Sequence, residues 1–345
     1  MRAPTKILQE SQTDMNKVSM KDRKVAVTGA AGFIGSHLTE QLLAAGAQVR
    51  ALIRYNSRSD AGWLKESQHH PNLTIVSGDI RDPFQVRSFL EGCDTVFHLA
   101  ALIAIPFSYQ APQSYVETNV TGTLNLLEAA RGHNVRKIIL TSTSEVYGTA
   151  LRVPIDEEHP LQPQSPYSAS KIAADMMGRA YASSFELPVV IVRPFNTYGP
   201  RQSMRAVIPT IITQAIDGHS IRLGDLRPVR DFNFVTDTAA GFIAAACNTC
   251  SRGETFNLAT GRGVSIGETV EITGRLLDKK LEIVEEESRL RPPDSEVMRL
   301  IGNADKALQQ LGWQPKNSFE DGLRQTIEWI RANRSEYSQS QKYHY

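Results

Sequence analysis

Short apolar runs alternate with amphipathic stretches through the first 190 or so residues of the chain. Residues 25–27, 49–53, 73–76, 95–99, 137–141 and 189–192 read as buried strands. Residues 33–45, 114–131 and 168–185 carry apolar side chains at helical spacing. Strands that alternate with helices predict an α/β fold built on a doubly wound parallel sheet. Beyond Arg193 the rhythm breaks into shorter segments punctuated by Pro and Gly, with scattered arginines, which predicts a smaller C-terminal lobe. The pattern divides the chain into a disordered extension (1–22), a large domain (23–192, with 228–250 returning to it), a substrate-binding lobe (193–227 and 251–333) and a loose tail (334–345).

The first strand runs into V-T-G-A-A-G-F-I-G-S, residues 27–36. Gly29 opens the turn, Gly32 lets backbone approach a ligand, and Gly35 lies in the following helix, where a missing side chain allows close packing on the strand. The helix start at Phe33 and Ile34 offers free N–H groups to phosphate oxygens. This strand, loop and helix predict a Rossmann-type site for the pyrophosphate of NAD(P). The ribose-binding acid of an NAD enzyme is expected about 20 residues past this loop. Ile53 stands there, followed by Arg54 and, further on, Arg58. An arginine suits a 2'-phosphate and no carboxylate opposes one, so the expected cofactor leans towards NADP.

Composition narrows the partners. Among 345 residues, 38 Lys and Arg balance 37 Asp and Glu, so no basic field points to nucleic acid or an anionic membrane surface. No apolar stretch approaches the roughly 18 residues needed to span a bilayer, and the N-terminal segment lacks a signal-peptide apolar region. A cytoplasmic protein acting on small molecules is expected. Three cysteines occur. Cys247 and Cys250 close a helical run without a second pair for zinc, so both read as ordinary thiols, and no metal is expected.

Far downstream, Y-S-A-S-K at residues 167–171 places Tyr167 and Lys171 one turn apart on one helix face. An ammonium there is expected to depress the phenol from its ordinary value near about 10, making Tyr167 a base for a sugar hydroxyl. Coupled to the glycine loop, this pair resembles the extended short-chain dehydrogenase/reductase family over residues 24–330. The resemblance implies that Asp79 and Ile80 hold the adenine and that Leu99, Ala100 and Ala101 lie beside the cofactor. It also implies that Asn119 orders the active site and that His98 mainly shapes its loop.

S-T-S-E-V-Y-G (142–148) and R-P-F-N-T-Y-G-P-R (193–201) are similar to enzymes acting on nucleotide-diphosphate sugars. In that setting Arg201, Arg230 and Arg291 are expected to meet the diphosphate, although each could equally pair with an acid on the surface. Asn196 falls at a strand's carboxyl end, where the family places a substrate contact. Together with H-L-A-A-L-I-A-I-P-F-S-Y (98–109), these segments resemble the 4,6-dehydratases of bacterial legionaminic-acid-type pathways, which act on nucleotide-activated N-acetylglucosamine (GDP or UDP). The implied roles are oxidation at C4 through Tyr167, removal of the C5 proton by Glu145 and loss of water from C6, with Thr143 alongside.

Glucose 4,6-dehydratases carry T-D-E where this chain has Thr143-Ser144-Glu145, so the acid for the departing water is missing. The same triplet resembles UDP-glucuronate decarboxylases, and a 4-epimerase needs only the hydride step. A cofactor-sensing regulator on this fold typically lacks the Tyr and Lys pair. Residues 114–131 and 168–185 resemble the helices with which related enzymes form a homodimer through a four-helix bundle, although Leu124, Leu127, Met176 and Met177 could equally be internal core.

Overall fold

The computed structural model describes residues 19–57, 60–249, 252–286 and 297–338. Each apolar run forms a strand: β1 (Lys24–Thr28), β2 (Gln48–Arg54), β3 (Leu73–Gly78), β4 (Thr95–His98), β5 (Lys137–Thr141) and β6 (Val189–Pro194). With β10 (Thr255–Leu258) they make a seven-stranded sheet in the order β3-β2-β1-β4-β5-β6-β10, all parallel. Helices cover both faces, which is why β6 reads V-V-I-V-R-P with every position buried instead of alternating. α1 (Phe33–Ala44) and α8 (Val235–Cys247) pack on one face. α2 (Pro83–Leu90), α5 (Gly122–Gly132) and α6 (Pro166–Ser184) pack on the other.

The chain leaves β1 towards β2 but continues from β4 towards β5, so the strand order reverses between β1 and β4. A crevice opens at the carboxyl ends of strands at such a point. The glycine loop after β1 and residues 99–101 after β4 form its walls. Between β4 and β5 lie α3 (Ile105–Gln110), α4 (Pro112–Tyr115) and a π-helical turn (Val116–Thr121) that runs directly into α5. The expected helix over 114–131 is therefore continuous but wound more widely around Asn119, a distortion common at functional sites.

The smaller lobe holds β7 (Asn196–Tyr198), β9 (Val229–Phe234), β11 (Gly263–Ser265) and β13 (Arg299–Leu300) in one sheet. A parallel pair, β8 (Ser220–Leu223) and β12 (Glu282–Glu285), stands apart. α7 (Val207–Asp217), α9 (Ile266–Leu277) and α10 (Phe319–Ala332) enclose a core around Tyr198, Phe232, Phe234 and Phe319. α11 (Arg334–Ser338) follows α10.

Four sequence boundaries move. Residues 229–234, assigned to the large domain, form β9 of the small sheet, and only α8 packs on the large one. Residues 255–258, assigned to the lobe, pair with β6. Both exchanges occur because the chain crosses between lobes repeatedly, and a short strand carries no local mark of which sheet it joins. Residues 19–22 are not disordered, since Met20 is buried in the core and Asp22 donates its N–H to Gly46 O. Likewise Tyr337 is buried in the expected tail, its hydroxyl donating to Gln202 O at 3.1 Å. Residues 1–18, Arg58, Cys250, Arg291 and 339–345 lie outside the described residues. No helix among the described residues is long and apolar enough to cross a membrane.

Candidate active site

The three loop glycines do three different jobs. Gly29 has φ +69°, and a side chain there would come within 2.8 Å of Ala100 N. At Gly35 a Cβ would stand 2.1 Å from Gly29 O, so this glycine lets α1 begin against the loop. Gly32 is different, because a Cβ would meet only Gly29 O, at 3.2 Å, and open space beyond. It also caps α1 without a side-chain acceptor. The first helical bond runs from Ser36 N to Gly32 O, so the amides of Phe33, Ile34 and Gly35 have no acceptor within the helix. Thr28 Oγ1 accepts from both Leu99 N and Ala100 N at 3.1 Å, tying the two walls together. A backbone-lined cradle beneath a helix N-terminus fits a dinucleotide pyrophosphate.

Around this cradle, Asp79 and Ile80 follow β3. A Cβ at Gly122 would lie 2.7 Å from Ile80 Cδ1, and Asn125 donates to the Ile80 and Arg81 carbonyls at 3.1 and 2.9 Å, so α5 fixes the pair. Arg81 grips the Asp79 carboxylate and holds it below the usual range. Arg54 ends β2 and is exposed, without a hydrogen bond or ion pair among the described residues. It shares a cavity of about 420 Å³ with Ala31, Asn56, Ser57, Asp60 and Gly62. The expectation that no carboxylate stands near is thus corrected: Asp60 lines the same cavity, its backbone N–H and carbonyl both bonded by the Asn56 side chain. Asp60 Oδ1 is itself engaged by Gly62 N at 2.8 Å.

The reaction cleft is made from side chains. A short 3₁₀ turn (Ser144–Tyr147) follows β5, with Thr143 as its N-cap accepting from Glu145 N at 3.2 Å. On α6, whose capping box uses Ser165 and Ser168, Tyr167 occupies the first turn. The Thr143 hydroxyl and the Glu145 carboxylate both lie close enough to the Tyr167 phenol to act on it, the hydroxyl favouring its ionised form and the carboxylate opposing it. The Tyr115 ring meets that of Tyr167 edge-on at 6.2 Å. Asn119, at the π-helical turn, donates to Ser170 Oγ at 2.9 Å and to Leu102 O at 2.9 Å, clamping α6 to the loop after β4.

Electrostatics correct one expectation. Tyr167 is not depressed but raised, chiefly by burial, and the nearby Thr143 hydroxyl only opposes this. Lys171 Nζ is occupied elsewhere, donating to Thr141 O at 2.5 Å, and burial pushes it down to about 8. His98 is buried between the hydroxyls of Thr28 and Thr123, at 2.8 and 3.2 Å, and burial lowers it to about 3. It is held neutral between two hydroxyls.

The lobe arginines are engaged within the protein. Arg201 sits at φ +71° and pairs with Glu40 of α1 at 2.9 Å. Arg230 is buried on β9 and donates to Val297 O at 2.5 Å. Asn196 is only half-buried, yet its Oδ1 is shielded from solvent and has no partner among the described residues. The expected set misses Tyr115, Ser142, Asp175 and Arg193, which line or back the cleft. Ser142 and Arg193 open the two motifs at 142–148 and 193–201 and Asp175 lies one helical turn beyond Lys171, whereas nothing in the local sequence marks Tyr115. No group of three His, Cys, Asp or Glu among the described residues is placed to hold a metal.

The GDP-mannose 4,6 dehydratase family model matches residues 26–326. A dTDP-glucose 4,6-dehydratase of Actinoplanes sp. is 33% identical over 320 residues, 90% of this chain and 99% of the relative. A UDP-glucose 4-epimerase of Mycolicibacterium smegmatis is 34% identical, over 89% of this chain and 98% of its own. Among solved structures, DesIV, a dTDP-glucose 4,6-dehydratase from Streptomyces venezuelae with NAD bound, superposes with a TM-score of 0.84 at 32% identity, covering 92% and 99% of the two chains. A cradle for a dinucleotide, a Thr-Glu-Tyr cleft at the strand ends and a match of this length place the chain in the GDP-mannose 4,6 dehydratase family, on the extended short-chain dehydrogenase/reductase fold.

Proposed function

We propose that this protein is an NAD(P)-dependent nucleotide-sugar 4,6-dehydratase acting on a GDP- or UDP-linked N-acetylglucosamine, of the kind used in legionaminic-acid-type pathways. The observation that carries the reaction is the convergence of Thr143, Glu145 and Tyr167 in one cleft beside the cradle. The dehydratase relatives support the reaction type, and the motifs at 98–109 and 193–201 support the amino sugar.

Gly29, Gly32, Phe33, Ile34 and Gly35 hold the pyrophosphate in this reading, Asp79 and Ile80 the adenine, and Leu99, Ala100, Ala101 and Lys171 the nicotinamide side. The bound oxidised nicotinamide would accept hydride from C4, return it to C6 and place a positive charge beside the phenol. That charge would bring the raised phenol down, and as the phenolate Tyr167 takes the C4 hydroxyl proton. The resulting ketone acidifies C5, and Glu145 removes that proton. Ser144 cannot supply the acid for water leaving C6, so Glu145 delivers the proton it has just taken, and C5 is protonated afterwards from solvent. Asn196 Oδ1 is the free acceptor for the sugar nucleotide. Arg230 and Arg291 are the diphosphate contacts, and Arg201 joins them only by leaving Glu40.

Arg54 would meet a 2'-phosphate, which favours NADP. Relatives with NAD bound make the opposing case, so the ratio of the two dissociation constants decides, and tighter NAD binding unchanged in Arg54→Ala would remove the preference. The exposed apolar residues Val116 and Met176 on the π-helical turn and α6 suit a homodimer through these helices. A monomer mass by light scattering at micromolar concentration would remove it.

The experiment on the reaction offers wild type an N-acetylglucosamine, a glucose and a glucuronate nucleotide in deuterated water. The expected product is a 4-keto-6-deoxy amino sugar with deuterium at C5. Conversion without deuterium at C5 would make the protein a 4-epimerase, carbon dioxide from the glucuronate alone would make it a decarboxylase, and no product from any of them would favour a cofactor sensor.

A further inference from the structure

Behind the cleft the large lobe buries a charged network that none of these roles uses. Asp175 on α6 and Arg193 on β6 have side chains only 2% and 1% exposed. Arg193 Nε and Nη2 donate to Asp175 Oδ2 at 3.1 and 3.0 Å. Its Nη1 donates to the Tyr147 hydroxyl at 3.0 Å, and the guanidinium lies 5.0 Å from the Tyr147 ring centroid. Tyr147 passes the chain on to Asn257 Oδ1 at 2.7 Å. A buried ion pair is costly to desolvate, and an apolar pair of the same shape is often as stable. Fold stability alone therefore gives little reason for it.

Its neighbours suggest a better one. Ser142 Oγ donates to Asp175 Oδ2 at 2.8 Å, and Ser142 begins the segment that continues as Thr143, Ser144 and Glu145. Asp175 also lies one helical turn from Lys171, and its negative charge favours the lysine's protonated form. We propose that Asp175 is a positioning residue: clamped by Arg193, it anchors the Thr143–Glu145 turn through Ser142 and sets a carboxylate one helical turn from the buried Lys171 side chain.

The surroundings of Lys171 leave Asp175 this task. From β4 it faces His98, which is neutral. From β5 it meets the Thr141 carbonyl, an uncharged acceptor. Its own helix contributes the phenol of Tyr167 and the carboxylate of Asp175. Glu145 of the 3₁₀ turn acts on Tyr167, and Arg193 of β6 is paired with Asp175. Burial works against the ammonium, and Asp175 is the group that opposes burial.

Only the kinetic part of the test rests on the dehydratase reading. Lys171 is titrated directly in the cofactor-free protein by carbon-13 NMR of lysine Cε, its signal assigned by loss in Lys171→Arg. The wild-type midpoint is expected near 8. In Asp175→Asn it should fall by roughly one unit or more. Asp175→Asn/Arg193→Met leaves no unpaired buried guanidinium, protecting the fold, and should move the midpoint the same way. The alkaline limb of kcat/KM should follow the NMR midpoint in each variant. Ser142→Ala should lower kcat several-fold with the Lys171 midpoint unmoved, which separates the anchoring from the charge. A folded variant lacking Asp175 whose midpoint stays at the wild-type value overturns the proposal, as does an unaltered kcat in Ser142→Ala. A displaced midpoint in a protein that converts no nucleotide sugar would sink the dehydratase reading and leave Asp175 in its role towards Lys171. Normal turnover with an unmoved midpoint would do the reverse.

Discussion

The cofactor cradle and the reaction cleft lie side by side at the same strand ends but are built from different material. The cradle is backbone: three glycines, free amides of a helix start and one threonine hydroxyl holding two walls together. The cleft is side chains brought from β5, α4, the π-helical turn and α6, with a buried ion pair behind it. A backbone site should tolerate changes of side chain but not added volume. A side-chain site should respond to isosteric changes that leave the fold intact.

The largest expected effect separates the two. Glu145→Gln should cut turnover on the order of a hundredfold to ten-thousandfold while the dissociation constant for cofactor stays within a factor of about two. Reduced cofactor should accumulate in that variant, because C4 is oxidised before C5 is touched. Stopped-flow absorbance of the nicotinamide measures it, and equal loss of cofactor binding would break the distinction.

The cradle is tested by volume. Gly35→Ala places a methyl 2.1 Å from Gly29 O, so α1 must shift and cofactor affinity should fall at least about tenfold, with lower thermal stability. At Gly32 the corresponding distance is 3.2 Å, towards open space, so Gly32→Ala should fold with near wild-type stability and lose affinity alone. Calorimetric binding and melting curves for both variants would show whether packing and ligand approach are separate tasks.

Lys171 belongs to the side-chain region and should show function opposed to stability. Its folded value, about 8, lies below the ordinary 10.5, so burying the charge costs stability in full below pH 8. The cost fades as pH rises towards 10.5, because the folded form then gives up its proton first. Lys171→Met should therefore be inactive yet more stable near pH 7 by about 1–2 kcal/mol, with the lost bond to Thr141 O offsetting part of the gain. The gap in Tm should narrow between pH 7 and pH 10, and a gap that widens would refute the sign.

The smallest effect concerns how the two lobes share the cradle. Trp63, just past the Arg54 cavity, meets Trp329 of α10 edge-on at 5.3 Å, and Trp329 meets Tyr337 of α11 at 5.7 Å. Trp329→Ala should raise the dissociation constant for cofactor by roughly two- to fivefold, with Trp329→Phe restoring most of it. Unchanged binding in the alanine variant would confine the cradle to the large lobe.

How much of this was legible follows the same division. Strands, the helix start at Phe33 and the glycine spacing are local: apolar runs, helical periodicity and a positive φ are properties of a few consecutive residues, so the order of residues already contained the parallel sheet and the cradle. It also placed Tyr167 and Lys171 on one face of α6. Long-range packing set the lobe each short strand joins, the burial of Met20 and Tyr337, and the charge behaviour of the cleft. Residue spacing cannot show that Lys171 spends its bond on the Thr141 carbonyl. Nor can it show that burial raises Tyr167, that Arg201 turns to Glu40, or that Asp175, Arg193 and Ser142 meet from three separate elements. Desolvation and long-range pairing depend on what the whole fold packs around a group, and no stretch of neighbouring residues contains that information.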